Sequence, residues 1–222
     1  MTGTENIFKN SQMLPLFAVP VWAQVLETDV AEPLNTHLLA QLDALKPDEA
    51  NDTDGWQTRN DLHTLDAFAQ MVEVIGAASK RVLEMLKVAP APFEITGCWM
   101  NIKPRGVGHP LHSHQNNYLS GVYYVKAPEG ADSISFHDTR MERRVIIPRF
   151  IEETPLTART MHVPVNTGVL IMFPSWLQHT VEANPTEETR VSLSFNIMFS
   201  DFTATQSKPN WDWSDVEMGG SV

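Results

Sequence analysis

Three of the chain's eight histidines stand at spacings that suit a metal ion. His112 and His114 flank Ser113, and residues two apart on an extended chain point to one face, so both rings can converge on a single ion. His179 comes much later, behind an apolar segment at 168–173 and a turn at 174–178, where an antiparallel barrel can return it to the first pair. Neutral imidazoles suit iron, zinc, copper or nickel, so these ligands by themselves do not select the metal. Beyond the third histidine lies Arg190, with Ser192 two residues on and on the same strand face. An arginine and a hydroxyl beside a metal can take the far carboxylate of a chelating 2-oxo diacid, the guanidinium by a bidentate fork and the serine by one hydrogen bond. Three protein ligands on an octahedral ion leave positions for the 2-oxo acid end and for dioxygen.

Such residues need a frame that brings distant segments together. From Pro92 onward, short segments rich in β-branched and aromatic residues alternate with turn residues: 93–103, 119–126, 133–137, 160–163, 168–173, 179–182 and 190–199. This texture predicts an antiparallel sandwich or barrel of seven or eight strands rather than alternating strands and helices. Ahead of it, 30–45 and 65–86 repeat apolar residues at helical spacing (Leu34, Leu38, Leu42; Phe68, Met71, Ile75, Val82), as helix faces packed on a core do. An extended strand broken by prolines is expected at 14–26, a loop at 47–60, and an arginine- and glutamate-rich excursion at 138–159. The expected organisation is one domain over 1–222: an opening strand and supporting helices (1–91), a strand core (92–200) and a tail (201–222) carrying Trp211 and Trp213.

Composition narrows the partners. At 222 residues, 42% apolar and 19% charged, the chain reads as an ordinary globular domain, with no apolar run long enough to span a bilayer. Its start, Met1 to Gln12, lacks the pattern of a signal peptide, which makes the cytoplasm the expected location. Cys98 is the single cysteine, so neither an internal disulfide nor a thiolate metal cluster is available. A net charge of −11 argues against nucleic acid as the main partner, even with Arg140, Arg143, Arg144 and Arg149 close together in one loop.

With these residues in view, the chain resembles the 2-oxoglutarate/Fe(II)-dependent dioxygenase superfamily, most of all its bacterial and phage branch. The matching stretches are HPLHSHQNNYLSGVYYVKAP (109–128), ISFHD (134–138), GVLIMFPSWLQHTVEANPTEETRVSLSFNIMF (168–199) and, more loosely, WMNIKPRG (99–106). The resemblance implies a mostly β (α+β) fold, a double-stranded β-helix (jelly-roll, cupin-like) core on an α-helical N-terminal support. It implies Fe(II) held by His112, His114 and His179, and 2-oxoglutarate as co-substrate on Arg190 and Ser192. Tyr124 matches a tyrosine that several relatives place on that co-substrate, with Asn101 and Asn196 as further lining candidates. Oxidative decarboxylation to succinate and carbon dioxide would then drive oxidation, most simply hydroxylation, of a small-molecule or protein side-chain substrate. A homodimer is the expected assembly.

The superfamily's middle ligand is usually Asp or Glu, and this chain has His114 there. An active three-histidine iron site, a carboxylate recruited from elsewhere such as Asp138, and metal binding without turnover all fit that departure; the first is the expectation here. A cupin-like three-histidine dioxygenase or isomerase that uses no 2-oxo acid is the enzymatic alternative. Gly106 followed by His112 and His114 opens like a cupin motif, but Tyr118 and Leu119 stand where its glutamate belongs, and His179 lies too far beyond Gly168. A non-catalytic ligand-binding barrel is the other alternative. Whether Arg190 and Ser192 face the metal separates these readings. His109 reads as a neighbour of the site, His137 and Asp138 as its rim, His162 as a histidine of the fold, and His37 and His63 as parts of the helical front end. Trp56, Trp99 and Trp176 read as core or pocket wall. The excursion 138–159 and the loop 104–118 are expected to shape the pocket.

Overall fold

The structure, a computed structural model, describes residues 9–140 and 145–205. The expected tail tryptophans, Arg143 and Arg144 lie outside them. Pro15 and Pro20 cannot donate a backbone hydrogen bond, so the opening strand β1 is confined to Trp22–Val25. Helix α1 (Thr28–Ala40) and the short α2 (Leu42–Leu45) take the place of one continuous helix, because at Gln41 the backbone tightens and its N–H reaches the Leu38 carbonyl. The second helix, α3 (Ala69–Met85), is preceded by two 3-10 turns, Leu62–Thr64 and Asp66–Phe68, which tuck Leu62 and Phe68 into the core. The expected loop at 47–60 contains the two-residue strand β2 (Trp56–Gln57).

The remaining strands are β3 (Phe93–Lys103), β4 (His109–His112), β5 (Leu119–Lys126), β6 (Ser133–His137), β7 (Thr160–Pro164), β8 (Val169–Pro174), β9 (His179–Val181) and β10 (Arg190–Phe199). They form two antiparallel sheets, ordered β1-β8-β5-β10-β3-β2 and β4-β9-β6-β7. Eight of them make the two facing four-stranded layers of a jelly roll, and β1 and β2 extend the larger sheet.

Each layer of side chains has a distinct job. The outer face of the larger sheet packs on the helices: Leu34, Leu38, Met71, Ile75 and Val82 meet Met100, Tyr123, Leu193 and Phe195 in one apolar cluster. A second cluster, including Val122, Ile134, Ile171 and Phe173, fills the space between the sheets. Adjacent residues of a strand point to opposite faces, and the tyrosine pair of β5 shows the consequence. Tyr123 faces the helices and donates to Asn35 Oδ1 on α1 at 2.8 Å, whereas Tyr124 faces the barrel interior. The helices thus brace the strand that carries a site residue. Strand β10 follows the same rule. Val191, Leu193, Phe195 and Ile197 join the helix-side core, and Arg190, Ser192 and Ser194 line the interior.

Candidate metal and co-substrate site

The three histidines converge. Strand β4 pairs with β9 so that His112 stands directly opposite His179, and His114 follows just past the end of β4. One ligand nitrogen from each of His112, His114 and His179 lies within 4.8 Å of the others, and this is the group of His, Cys, Asp and Glu among the described residues that can hold a metal. The ring centroids of His112 and His179 are 4.1 Å apart, and those of His114 and His179 are 5.3 Å apart in a stack.

Two hydrogen bonds decide which nitrogens are available. His112 Nδ1 lies 2.8 Å from the Pro110 carbonyl and His179 Nδ1 lies 3.0 Å from the Leu177 carbonyl. A carbonyl only accepts, so each Nδ1 carries the proton and each Nε2 keeps its lone pair for an ion. His114 is steered instead by the Trp99 ring stacked on it at 5.7 Å. Burial holds the His114 imidazole down to about 4 and the His179 imidazole to about 3, with neighbouring histidines adding to both, and it lowers His112 as well. Neutral imidazoles with free lone pairs are the state a metal requires. In the metal-free protein the same shifts set a stability trend. Above the ordinary value near 6.5 these groups are neutral folded or unfolded and contribute nothing. As pH falls from there toward 4, the unfolded chain takes up protons that the folded one refuses, so folding weakens across that window. A melting temperature of apo-protein that stays flat between pH 7 and 4 would contradict this.

The co-substrate candidates gather through cross-strand register. Ser192 is flanked by Asn101 on β3 and Tyr124 on β5, so three residues far apart in sequence form one row. Arg190, Ser192, Tyr124 and Asn101 line the same interior pocket as the three histidines. Arg190 is only 3% exposed, and its guanidinium has two long contacts to carbonyls, Ala131 at 3.5 Å and Glu182 at 3.4 Å, with no carboxylate paired to it among the described residues. Burial pulls its pKa down. The Tyr124 hydroxyl and the Asn101 carbonyl oxygen are buried without a hydrogen-bond partner. A buried cation with unsatisfied polar atoms at its side is costly unless an anion completes it.

The other sequence candidates sort cleanly. Asn196 shares the interior face of β10 but lies outside the pocket, accepting a hydrogen bond from Ser120 Oγ at 2.7 Å. Asp138 is not grouped with the histidines; its two carboxylate oxygens engage the Arg140 guanidinium at 2.8 and 3.0 Å. Both ring nitrogens of His137 are taken by Thr180 and Thr160 hydroxyls, and His162 is exposed on β7 against Ser135. The described residues of the excursion also lie elsewhere. Strands β6 and β7 end the smaller sheet away from β4, so described residues of their connection, Asp138, Arg140 and Leu156, line a separate groove of about 720 Å³ with Pro15–Val21 and the half-exposed Trp176. The loop 104–118, by contrast, does shape the pocket and contains the unanticipated strand β4.

Sequence reading left out Lys103 and Ser194 and underrated His109, all of which line the pocket. The signal was the strict alternation in β10, RVSLSFNI, and in β3, where Trp99, Asn101 and Lys103 share a face: strands with one apolar and one polar face inside a barrel mark a polar interior. Gly108 makes the approach of β4 possible. A Cβ there would stand 2.6 Å from the Val181 carbonyl oxygen and 2.9 Å from the Ala183 nitrogen. Gly108→Ala should therefore push β4 off β9, costing about 1–3 kcal/mol of stability and weakening metal affinity. Gly76→Ala, in α3 with open space around it, should do neither; calorimetric melting and metal titration of the two variants make the comparison.

Comparison with known proteins bears on the strand core and its fold. Residues 97–196 match the family model described as "Putative 2OG-Fe(II) oxygenase". The strand core from β3 to β10 is thus similar in sequence pattern to this family, and the fold is one that 2-oxoglutarate-dependent oxygenases share. Among solved structures it is similar to the non-heme alpha-ketoglutarate-dependent carbocyclase SnoK from nogalamycin biosynthesis, at 13% identity over 82% of this chain and 80% of that one, TM-score 0.60. A Pseudomonas putida prolyl-4-hydroxylase is similar at 14% identity over 82% and 93%, TM-score 0.57. HygX from Streptomyces hygroscopicus, solved with nickel and 2-oxoglutarate bound, is similar at 14% identity over 82% and 83%, TM-score 0.56. At such identities the likeness is one of fold, the double-stranded β-helix. No curated protein matches the sequence.

Proposed function

We propose that this chain is an oxygenase that binds iron(II) on His112, His114 and His179 and takes 2-oxoglutarate as co-substrate. The observation that carries the reading is Arg190, a buried guanidinium without an acidic partner among the described residues, lining the same pocket as three imidazoles that can share one ion. Arg190 and Ser192 bind the distal carboxylate, Tyr124 donates its orphaned hydroxyl to the co-substrate, and Asn101 accepts or donates beside it. The Nδ1–carbonyl bonds of His112 and His179 hold their rings with Nε2 inward. Trp99, Phe173 and Ile134 form apolar pocket wall that limits water. Iron(II) with 2-oxoglutarate and dioxygen supplies oxidative decarboxylation coupled to oxidation of a substrate.

The donor set fits the group. Three neutral imidazoles leave the ion's two positive charges uncompensated; the chelating carboxylate of the co-substrate offsets one of them, while its distal carboxylate meets the Arg190 guanidinium. The placing of Arg190 and Ser192 beside the histidines favours this reading over the cupin-like one. A substrate that is a small molecule or a protein side chain, a homodimer, and a cytoplasmic location belong to the same proposal; the described helices include none long and apolar enough to cross a membrane.

Anaerobic titration of iron(II) and then 2-oxoglutarate into metal-free protein tests it. The weak visible charge-transfer band of a chelated 2-oxo acid is expected at one equivalent of each. Stoichiometric iron without that band on adding 2-oxoglutarate would overturn the co-substrate and leave the three-histidine metal site standing.

A further inference from the structure

Lys103 ends β3 directly opposite the first residue of β10, and that residue is Arg190. Side chains of directly opposed residues share one sheet face and lie close, so two like charges in this register destabilise the pair. Both side chains line the histidine pocket. Burial lowers the pKa of each, and Arg190 lowers Lys103 further. Among the described residues neither forms an ion pair with a carboxylate, and the pocket lining contains no acidic residue. Several cations elsewhere do have carboxylate partners: Lys46 meets Asp52, Lys126 meets Glu188 and Arg105 meets Glu187. The two cations of the pocket have none among the described residues, and they stand opposite each other in the β3–β10 register.

We propose that Lys103 and Arg190 form one seat for a carboxylate, so that Lys103 is a second cationic anchor for the distal end of the co-substrate. This rests on the assignment of 2-oxoglutarate above. The anion relieves the repulsion between the two side chains and gains a charge-assisted hydrogen bond from each. Ser192 and Tyr124 complete the seat from the neighbouring row. Lys103 is assigned to binding of the distal carboxylate and not to the metal ion.

Lys103→Met keeps the apolar stem and removes the charge, and Lys103→Arg restores it. Each variant is loaded with iron(II) under anaerobic conditions, its metal content is measured, and 2-oxoglutarate and pyruvate are titrated separately. Pyruvate carries the chelating 2-oxo acid but no distal carboxylate. Expected for Lys103→Met are unchanged iron content, unchanged pyruvate affinity and 2-oxoglutarate affinity weakened about tenfold, the scale of one lost hydrogen bond to a charged group. Lys103→Arg should recover most of the loss. Unchanged 2-oxoglutarate affinity in Lys103→Met overturns the assignment, and so does an equal loss for pyruvate, which would mark a structural role. Failure of the wild-type protein to bind 2-oxoglutarate is a different result, visible before any variant is made, and overturns the co-substrate reading along with the seat.

Discussion

Replacing His179 by alanine is expected to abolish stoichiometric iron(II) binding while leaving the barrel folded. The ring is 4% exposed, it lies opposite His112 across the β4–β9 pairing, and its Nδ1 is fixed on the Leu177 carbonyl. Losing a hydrogen-bond partner of a ligand already costs roughly 10–100-fold in metal affinity, so losing the ligand itself should exceed that. The fold should tolerate the change better, because the ring faces other imidazoles and Phe173, 4.6 Å away, rather than the helix-side core. Metal content after dialysis, read beside a thermal melt, distinguishes the two effects. His162→Ala, a change at an exposed ring on β7, serves as the control and should retain iron. A His179→Ala protein that keeps stoichiometric iron would show that the triad is misassigned.

Arg190→Ala is expected to leave iron in place and weaken 2-oxoglutarate about a hundredfold or more, since removing one partner of a buried charge pair costs about 2–5 kcal/mol. Arg190→Lys should fall between, because an ammonium cannot reproduce a bidentate fork. The sign of a second effect is more telling. Without co-substrate the guanidinium is a buried charge with no carboxylate among its described neighbours, and such a group weakens the fold. Arg190→Met should therefore not lower the melting temperature of the ligand-free protein, and 2-oxoglutarate should raise that of the wild type but not of the variant. Equal loss of iron and co-substrate, or loss of neither, would contradict the role given to Arg190.

Much of this protein is legible in its sequence because local chemistry dictates it. The bounds 93–103, 119–126, 133–137 and 190–199 coincide with β3, β5, β6 and β10, where β-branched and aromatic residues run between turn signals. The spacing of His112 and His114, the later His179, and the pair Arg190 and Ser192 pointed to these residues because residue type and spacing are read directly from the sequence. Helical periodicity placed α1 and α3, though not the break at Gln41 or the 3-10 turns before Ala69, where packing of Leu62 and Phe68 overrides the local pattern.

What the sequence could not settle is anything that depends on which strand lies beside which. Strand β4 went unseen because HPLH has too few residues and a proline; it is a strand because β9 pairs with it and Gly108 lets it come close. The sequence left open whether Asp138 lies near the histidines; in the fold its carboxylate engages the neighbouring Arg140 and it is not grouped with them. Lys103 carried no signal of its own. A lysine ending a strand is ordinary, and only the antiparallel register of β3 and β10 sets it against Arg190. Register is fixed by burial and pairing between segments distant in the chain, so tertiary structure alone turned a set of plausible ligands into one pocket that also holds two cations.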